Sequence, residues 1–220
     1  MVLECFRMEN YNPIDTPMAK GEKLSNNLCP KTPEQKEWME KVPYANVVGS
    51  LKYAMLCTRL DISYVVGMVS RYQSNLGEAH WKAVKRILRY FNGIVDYRLC
   101  YQGQDLQLKD YTDADWENDL DERKSTSGYV FLLGNGVITW CSKKQTCIAL
   151  STIKAEFVTF STAAQEAMWL KRFLCHLGVV EPVSQLMVVY SDSEVAIAYT
   201  KDPKYYGKTK HIDTRFNYVR

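Results

Sequence analysis

The sequence predicts an α/β fold, in which a mixed β-sheet flanked by helices follows a mainly helical segment. Two observations carry this prediction. Apolar residues recur at helical spacing over residues 43–92, whereas β-branched and aromatic runs separated by turn residues follow from Leu106 onward. The expected order of the second part is β-β-β-α-β-α-α, and a crossover after three antiparallel strands gives a mixed sheet.

Residues 1–36 are rich in Asn, Pro, Lys and Glu without a hydrophobic period, so we predict a loosely structured lead-in. Residues 37–104 are predicted to form a helical domain, which ends near Gly103-Gln104-Asp105. Its clearest helix runs from His80 to Phe91 and has an apolar stripe on one side. The other side is a basic stripe of Lys82, Lys85, Arg86 and Arg89. Such a stripe is more often a solvated face than a nucleic-acid contact, and both interpretations stay open.

Residues 105–220 are predicted to form the domain that contains the sheet. Leu106 to Asp113 is expected to be the first strand. The next two strands, 128–133 and 137–141, flank the turn Gly134-Asn135-Gly136. Asn-Gly sequences tolerate the positive φ angles of a tight hairpin, so these two strands should pair directly.

After the hairpin, helices are predicted to alternate with one strand. A capped helix is expected over residues 151–177, with a stop at Gly178. The short apolar run 186–190 suits a strand that is buried on both faces. Shorter helices are expected over 193–200 and from Ile212 onward.

Composition sets the broad class of the 220-residue chain, which is long enough for one sizeable domain or two small ones. The 7 cysteines are scattered without a CxxC pair and only 3 histidines occur, so neither a zinc site nor a disulfide framework is supported. We therefore expect an intracellular protein, of the cytoplasm or nucleus, with reduced thiols. The N-terminus lacks a signal-peptide pattern, and no run is long enough to span a membrane.

Three acidic residues are candidates for one site. Asp113 ends the predicted first strand and Asp192 follows the later one, and functional groups gather at strand ends in α/β sheets. Glu156 lies on the apolar, sheet-facing stripe of the long helix, between Ile153 and Phe160. A buried carboxylate without a partner costs several kcal/mol, roughly, so it needs a cation or a metal.

Each acid also has a plainer interpretation. Asp113 could be a turn residue, Asp192 a helix N-cap, and Glu156 an ion-pair partner of Lys154 or Lys143. Together and in this order, the three acids predict a divalent-metal site. Hard carboxylate oxygens favour Mg²⁺ or Mn²⁺ over zinc.

The segments around these acids resemble one known family. The run from Tyr111 to Gly134 is similar nearly throughout to the opening of the ribonuclease H domain of copia-type LTR retrotransposons. Residues 140–156 and 209–213 resemble later segments of that domain. Upstream, residues 42–59 and 80–90 resemble the thumb and connection region of the reverse transcriptase that precedes it. The resemblance extends from about residue 8 to residue 220.

By this resemblance, the fold is ribonuclease H-like, and Asp113, Glu156 and Asp192 are catalytic carboxylates that hold two Mg²⁺ or Mn²⁺ ions. The implied activity is hydrolysis of the RNA strand of RNA–DNA hybrids, with the hybrid as the partner and without a membrane. The Tyr-x-Asp-Asp pair of a polymerase site does not occur in the sequence, so polymerase activity is not expected.

The sequence departs from the family at three places. Leu60 stands where Pro is usual, and Lys154 stands where an acid is usual, so Ser151 cannot complete a capping box. The chain ends at Arg220, before the strand and last helix that carry the family's fourth carboxylate. We therefore expect weak or absent hydrolysis, with Asp213 as the candidate replacement for the fourth acid.

A non-catalytic interaction protein is the alternative function. Arg86-Ile87-Leu88-Arg89 matches the Arg-x-Leu-Arg word of secreted oomycete effectors, which would act on host proteins inside a host cell. The word lies in an amphipathic helix, and no signal peptide precedes it, so a chance match is the simpler explanation. A nucleic-acid binder that uses the basic helix face is a third possibility.

Overall fold

The computed structural model describes residues 2–101, 106–179, 188–194 and 197. The chain forms two compact units, Met1–Arg98 and Leu99–Arg220. The helices of the first unit are α1 (Val2–Cys5), α2 (Pro33–Glu40), α3 (Tyr44–Cys57), α4 (Ser63–Val69) and α5 (Glu78–Gly93). Three short 3-10 turns accompany them, at Asn26–Leu28, Leu60–Ile62 and Ser70–Tyr72. No helix in the described ranges has the length and apolar character needed to cross a membrane.

The core of the first unit lies between α3, α4 and α5. The predicted apolar stripe of α5 is confirmed, because Val84 and Leu88 are fully buried. Residues 1–36 have little regular structure, yet Leu3, Met8 and Leu24 are buried in the same core. These contacts join residues that are distant in sequence, so no local hydrophobic period in residues 1–36 predicts them.

A buried histidine caps the start of α5. Nδ1 of His80 accepts a hydrogen bond from the Gly77 amide at 2.9 Å, and Nε2 lies 3.2 Å from the Ser25 carbonyl oxygen. The imidazole ring stacks on Tyr72 with centroids 4.0 Å apart. The histidine therefore satisfies one of the free amides at the helix start while it fills the core.

The described residues of the second unit form a four-stranded mixed sheet. Its strands are β1 (Leu108–Asp115), β2 (Thr126–Leu133), β3 (Gly136–Lys144) and β4 (Val188–Ser191), in the order β3-β2-β1-β4. β1 and β3 pair antiparallel with β2, whereas β4 pairs parallel with β1. The predicted mixed sheet is confirmed.

The predicted hairpin turn is also confirmed. Leu133 pairs with Gly136, and both Gly134 and Asn135 have positive φ angles, +56° and +63°. Positive φ at both central residues is typical of the tight turn whose twist matches that of the flanking strands.

One long helix, α6 (Thr152–His176), packs on β1 and β2. The Ser151 side chain accepts a hydrogen bond from the Lys154 amide at 3.3 Å, and the chain leaves the helix through Gly178 at φ +69°. The predicted start and stop are therefore confirmed. Phe131 of the sheet and Leu170 of the helix belong to the shared core.

Two strand predictions are wrong in detail. β1 continues to Asp115 because its ladder with β2 extends that far, so Asp113 lies inside the strand. β4 is not buried on both faces, because one of its side chains is partly open to solvent. Tyr190 is 45% exposed and stacks on Tyr111 of β1, with ring centroids 5.0 Å apart.

Some predictions fall outside the described residues. These are Asp213, the helix from Ile212, and most of the helix predicted over 193–200. Of that last helix, the structure describes a hydrogen bond from the Ile197 amide to the Ser193 carbonyl oxygen, 3.1 Å long.

Candidate metal centre

The structure brings the three predicted acids together. One carboxylate oxygen from each of Asp113, Glu156 and Asp192 lies within 4.8 Å of the other two. Asp113 and Asp192 are exposed, and Glu156 is half-buried. The expected convergence of the three acids is confirmed.

Strand pairing places the two aspartates side by side. Thr112 of β1 is paired with Ser191 of β4 in the parallel ladder. The next residue of β1 is Asp113, and Asp192 comes directly after the end of β4. Asp113 is also paired with Gly128 of β2, which fixes its strand from the other side. Two neighbouring strands thus present carboxylates at the same level of the sheet.

A buried polar network holds the start of α6 against the sheet. The Gln145 side-chain amide donates to Ser127 Oγ of β2 and to the Ala155 carbonyl oxygen of α6, both at 2.9 Å. Thr159 of α6 donates to the same Ser127 hydroxyl at 2.7 Å. Because Ala155 directly precedes Glu156, this network fixes the position of the third acid.

The charge of Glu156 is destabilised where it stands. Partial burial, and next the charge of Asp113, raise the pKa of Glu156 to about 7, with a smaller contribution from Asp192. A cation placed among the three oxygens would favour the charged form and offset the repulsion. The donor set of three hard carboxylate oxygens suits a divalent ion such as Mg²⁺.

The plainer interpretations of Asp113 and Glu156 do not fit this geometry. Asp113 is a strand residue rather than a turn residue. After β4, the described residues include a helical hydrogen bond from the Ile197 amide to the Ser193 carbonyl oxygen, one residue past Asp192. Glu156 forms no ion pair with Lys143 or Lys154, all three of which the structure describes. The three residues could hold a metal ion.

Comparison with known proteins identifies the family. No family model matches the chain. The Retrovirus-related Pol polyprotein from transposon TNT 1-94 of Nicotiana tabacum is 50% identical over 219 residues, which is 100% of this chain and 16% of that protein. The polyprotein from transposon RE2 of Arabidopsis thaliana is 35% identical over 214 residues, 97% of this chain and 14% of that protein. The chain belongs to the Pol polyproteins of copia-type retrotransposons.

A further relative of this Pol chain carries a different name. The Secreted RxLR effector protein 161 of Plasmopara viticola is 43% identical over 133 residues, which is 60% of this chain and 94% of that protein. The Pol chain itself spans about a sixth of the polyproteins it matches, so its similarity concerns one region of them.

The Arg-x-Leu-Arg word of the Pol chain is part of the folded core of the first unit. Ile87 and Leu88 are fully buried in α5. The Arg86 guanidinium donates to Thr16 Oγ1 at 2.9 Å, and Arg89 Nε donates to the Asn12 carbonyl oxygen at 2.8 Å. The word thus links α5 to residues 12–16.

Sequence patterns missed one buried acid of the Pol chain. Asp110 of β1 is fully buried opposite Phe131, and neither oxygen accepts a hydrogen bond of normal geometry from the described residues. Burial raises its pKa to about 7, and the Tyr111 amide opposes this shift only in part. The available signal was strand alternation, since Asp110 and Asp113 occupy opposite faces of the same strand.

Sequence patterns also missed a fixed tryptophan directly after β1. Trp116 Nε1 donates to the Ala149 carbonyl oxygen at 3.1 Å, just before the cap of α6. The indole is nevertheless 41% exposed. It lies three residues along the chain from Asp113.

Proposed function

We propose that the second unit is a ribonuclease H module that hydrolyses the RNA strand of RNA–DNA hybrids with divalent metal ions. The observation that carries the proposal is the cluster of Asp113, Glu156 and Asp192 within 4.8 Å. Membership of the copia-type Pol polyproteins and the resemblance of residues 111–134 to the opening of their ribonuclease H domain support it.

Each acid has a distinct part in this proposal. Asp113 and Asp192 project from adjacent parallel strands, so sheet pairing fixes the spacing of their backbones. Glu156 comes from α6 and supplies the third oxygen. Its raised pKa means that the site loses one negative charge by protonation near neutral pH until a cation stabilises the carboxylate.

The metal chemistry follows from the ligand set. Two Mg²⁺ or Mn²⁺ ions held by such carboxylates activate a water molecule and stabilise the leaving oxygen of a phosphodiester. Three carboxylates together offset most of the charge of two such ions. The exposed aspartates leave one side of the site open to a nucleic-acid strand.

A cleavage assay tests the proposal. An RNA–DNA hybrid with labelled RNA is incubated with the chain in Mg²⁺, Mn²⁺ or EDTA, beside the same sequence as duplex RNA and as duplex DNA. Weak, metal-dependent cleavage of the hybrid RNA alone is expected, and Asp192→Asn and Glu156→Gln should abolish it. Asp121→Asn, a change of an exposed loop acid in the same unit, should leave it unchanged.

Metal binding gives a second readout. Wild type should bind Mn²⁺ in calorimetric titration, and Asp192→Asn should bind it at least tenfold more weakly, because a charged ligand is lost. Absence of both Mn²⁺ binding and hybrid cleavage in the wild type would overturn the proposal. Cleavage that survives both active-site substitutions would also overturn it.

An interaction protein is the second candidate function. The 43% identity to a protein named as a secreted RxLR effector favours it. Secretion of the native gene product into a host cell would support this function, and retention inside the producing cell would exclude it. Loss of secretion on changing both Arg86 and Arg89 to Lys, without loss of folding, would assign a role to the word itself.

A further inference from the structure

Trp116 directly follows the strand that carries Asp113, and its indole is held in place although a large part of the side chain faces solvent. It follows Asp115 at the end of β1, and its indole N–H is bonded to the Ala149 carbonyl oxygen. That bond connects the end of the strand that carries Asp113 to the segment that leads into α6. The Trp116 side chain is 41% exposed although this bond holds it.

The loop that follows Trp116 is fixed at several points. The Glu117 amide donates to Ser125 Oγ at 3.2 Å, and the Glu117 carboxylate pairs with Arg123 at 2.9 Å. Lys144 of β3 pairs with the buried carboxylate of Asp119, also at 2.9 Å. An indole at the base of such a loop loses little further conformational freedom on binding a ligand.

Exposed apolar side chains flank the residue that accepts the indole hydrogen bond. Ile148 and Leu150 flank Ala149 in the chain and are 55% and 76% exposed. Ala149 itself is buried, and its carbonyl oxygen is the acceptor for Trp116. Exposed apolar side chains that are grouped in this way favour a binding surface over a purely solvated one.

We propose that Trp116 binds substrate, with its ring packed against the sugar edge of an RNA–DNA hybrid next to the phosphodiester at the acidic cluster. The inference rests on the proposed function of that cluster. A helix with A-form character exposes its sugars in a wide, shallow groove, and a flat, partly apolar indole suits that surface. Strands rise ~3.3 Å per residue, so Trp116 lies about 10 Å along the chain from Asp113, or about three nucleotides.

The expected contribution follows from the exposed area. An indole presents roughly 200 Å² in all, of which about 80 Å² is exposed in this structure, and covering about two thirds of that area is enough for about tenfold in affinity. The contact stabilises the ground state and the transition state alike. Its loss in Trp116→Ala should therefore raise KM and leave kcat close to the wild-type value.

A binding experiment tests this subsite separately from cleavage. A fluorescently labelled RNA–DNA hybrid is titrated with the intact chain in Ca²⁺ in place of Mg²⁺. Trp116→Ala should bind about tenfold more weakly, whereas Trp116→Phe, which keeps a flat ring but lacks the indole N–H, should stay within about threefold of the wild type. The matched control is Trp169→Ala, because Trp169 is 56% exposed on α6. It lies 13 residues beyond Glu156, or about 20 Å along the helix.

The outcomes separate the subsite from the metal function. Unchanged binding by Trp116→Ala, or equal weakening by Trp169→Ala, would overturn the proposal, even if the chain cleaves the hybrid. Binding that depends on Trp116 in a chain without cleavage would support the subsite and count against the metal function. If Trp116→Ala lowers the melting temperature, the pair Trp116→Phe and Trp116→Leu decides, since only phenylalanine should retain binding. Failure of the wild type to bind the hybrid would overturn both proposals.

Discussion

Replacing Asp110 with asparagine should make the stability of the second unit less dependent on pH. The Asp110 carboxyl group is fully buried without a normal hydrogen-bond partner among the described residues, and burial raises its pKa to about 7 from 3.8. The folded state therefore holds the proton more tightly than the unfolded chain. Consequently the free energy of unfolding falls as pH rises from about 4 to about 7. Above that range Asp110 makes it change little further.

The magnitude follows from the two pKa values. They differ by about three, and each pKa unit is worth ~1.4 kcal/mol, so the charged form of Asp110 costs about 4 kcal/mol above pH 7. Whole domains are stable by only about 5–15 kcal/mol, so this is a large share. The asparagine of the Asp110→Asn variant would leave a buried amide with its own cost of about 1–3 kcal/mol, but that cost does not change with pH.

The assay is chemical denaturation of wild type and Asp110→Asn at several pH values, read by amide hydrogen exchange in β1 and β2. The stability of the variant relative to wild type should rise by about 4 kcal/mol between pH 4 and pH 8. Asp110 acts electrostatically on Tyr129, which also interacts with Cys141 and Glu166, so these are the titratable groups on that side of the sheet. Asp121→Asn, in an exposed loop, is the control and should show no such trend. A constant difference between Asp110→Asn and wild type across this range would refute the reasoning.

Three shorter predictions concern the cluster, the hairpin and the long helix. In EDTA above pH 7, where Glu156 is charged, Glu156→Gln should stabilise the second unit by removing one of three facing charges. Mn²⁺ should then stabilise the variant less than it stabilises wild type; equal Mn²⁺ responses in thermal melts would contradict the site. Asn135→Ala should cost about 1 kcal/mol in urea unfolding because φ is positive there, while Asn135→Gly should be nearly neutral; equal losses would argue against the turn. Ser151→Ala should cost about 1 kcal/mol and Ser151→Asp should restore it; unaltered amide exchange in the first turn of α6 would show that the cap contributes nothing.

Local rules account for the parts of the fold that the sequence predicted well. The turn at Asn135, the cap at Ser151 and the stop at Gly178 each depend on a few neighbouring residues, so a single sequence suffices. The convergence of Asp113 and Asp192 was predicted from the rule that functional groups gather at strand ends, although Asp113 lies inside β1 and the parallel register with β4 is what brings the two together. Their role as metal ligands is a proposal that rests on family resemblance and on the geometry.

Tertiary contacts decide what the sequence could not predict. The burial of Asp110 depends on which face of β1 is covered by α6, and strand alternation alone does not say which face that is. The packing of residues 1–36 depends on partners such as Arg89, whose bond to Asn12 spans 77 residues. The fixed position of Trp116 likewise depends on Ala149, which is 33 residues away.

The Arg-x-Leu-Arg word shows how a linear pattern and a folded structure use the same residues differently. A receptor that reads the word as a linear signal needs its backbone and side chains free, whereas Ile87 and Leu88 are fully buried. Exposing both would cost about 3–6 kcal/mol in apolar burial alone, because each large aliphatic side chain contributes about 1.5–3 kcal/mol. The bonds from Arg86 to Thr16 and from Arg89 to Asn12 would be lost as well. Since that sum approaches the stability of a whole small domain, the word can serve as a linear signal only in a chain whose first unit is unfolded.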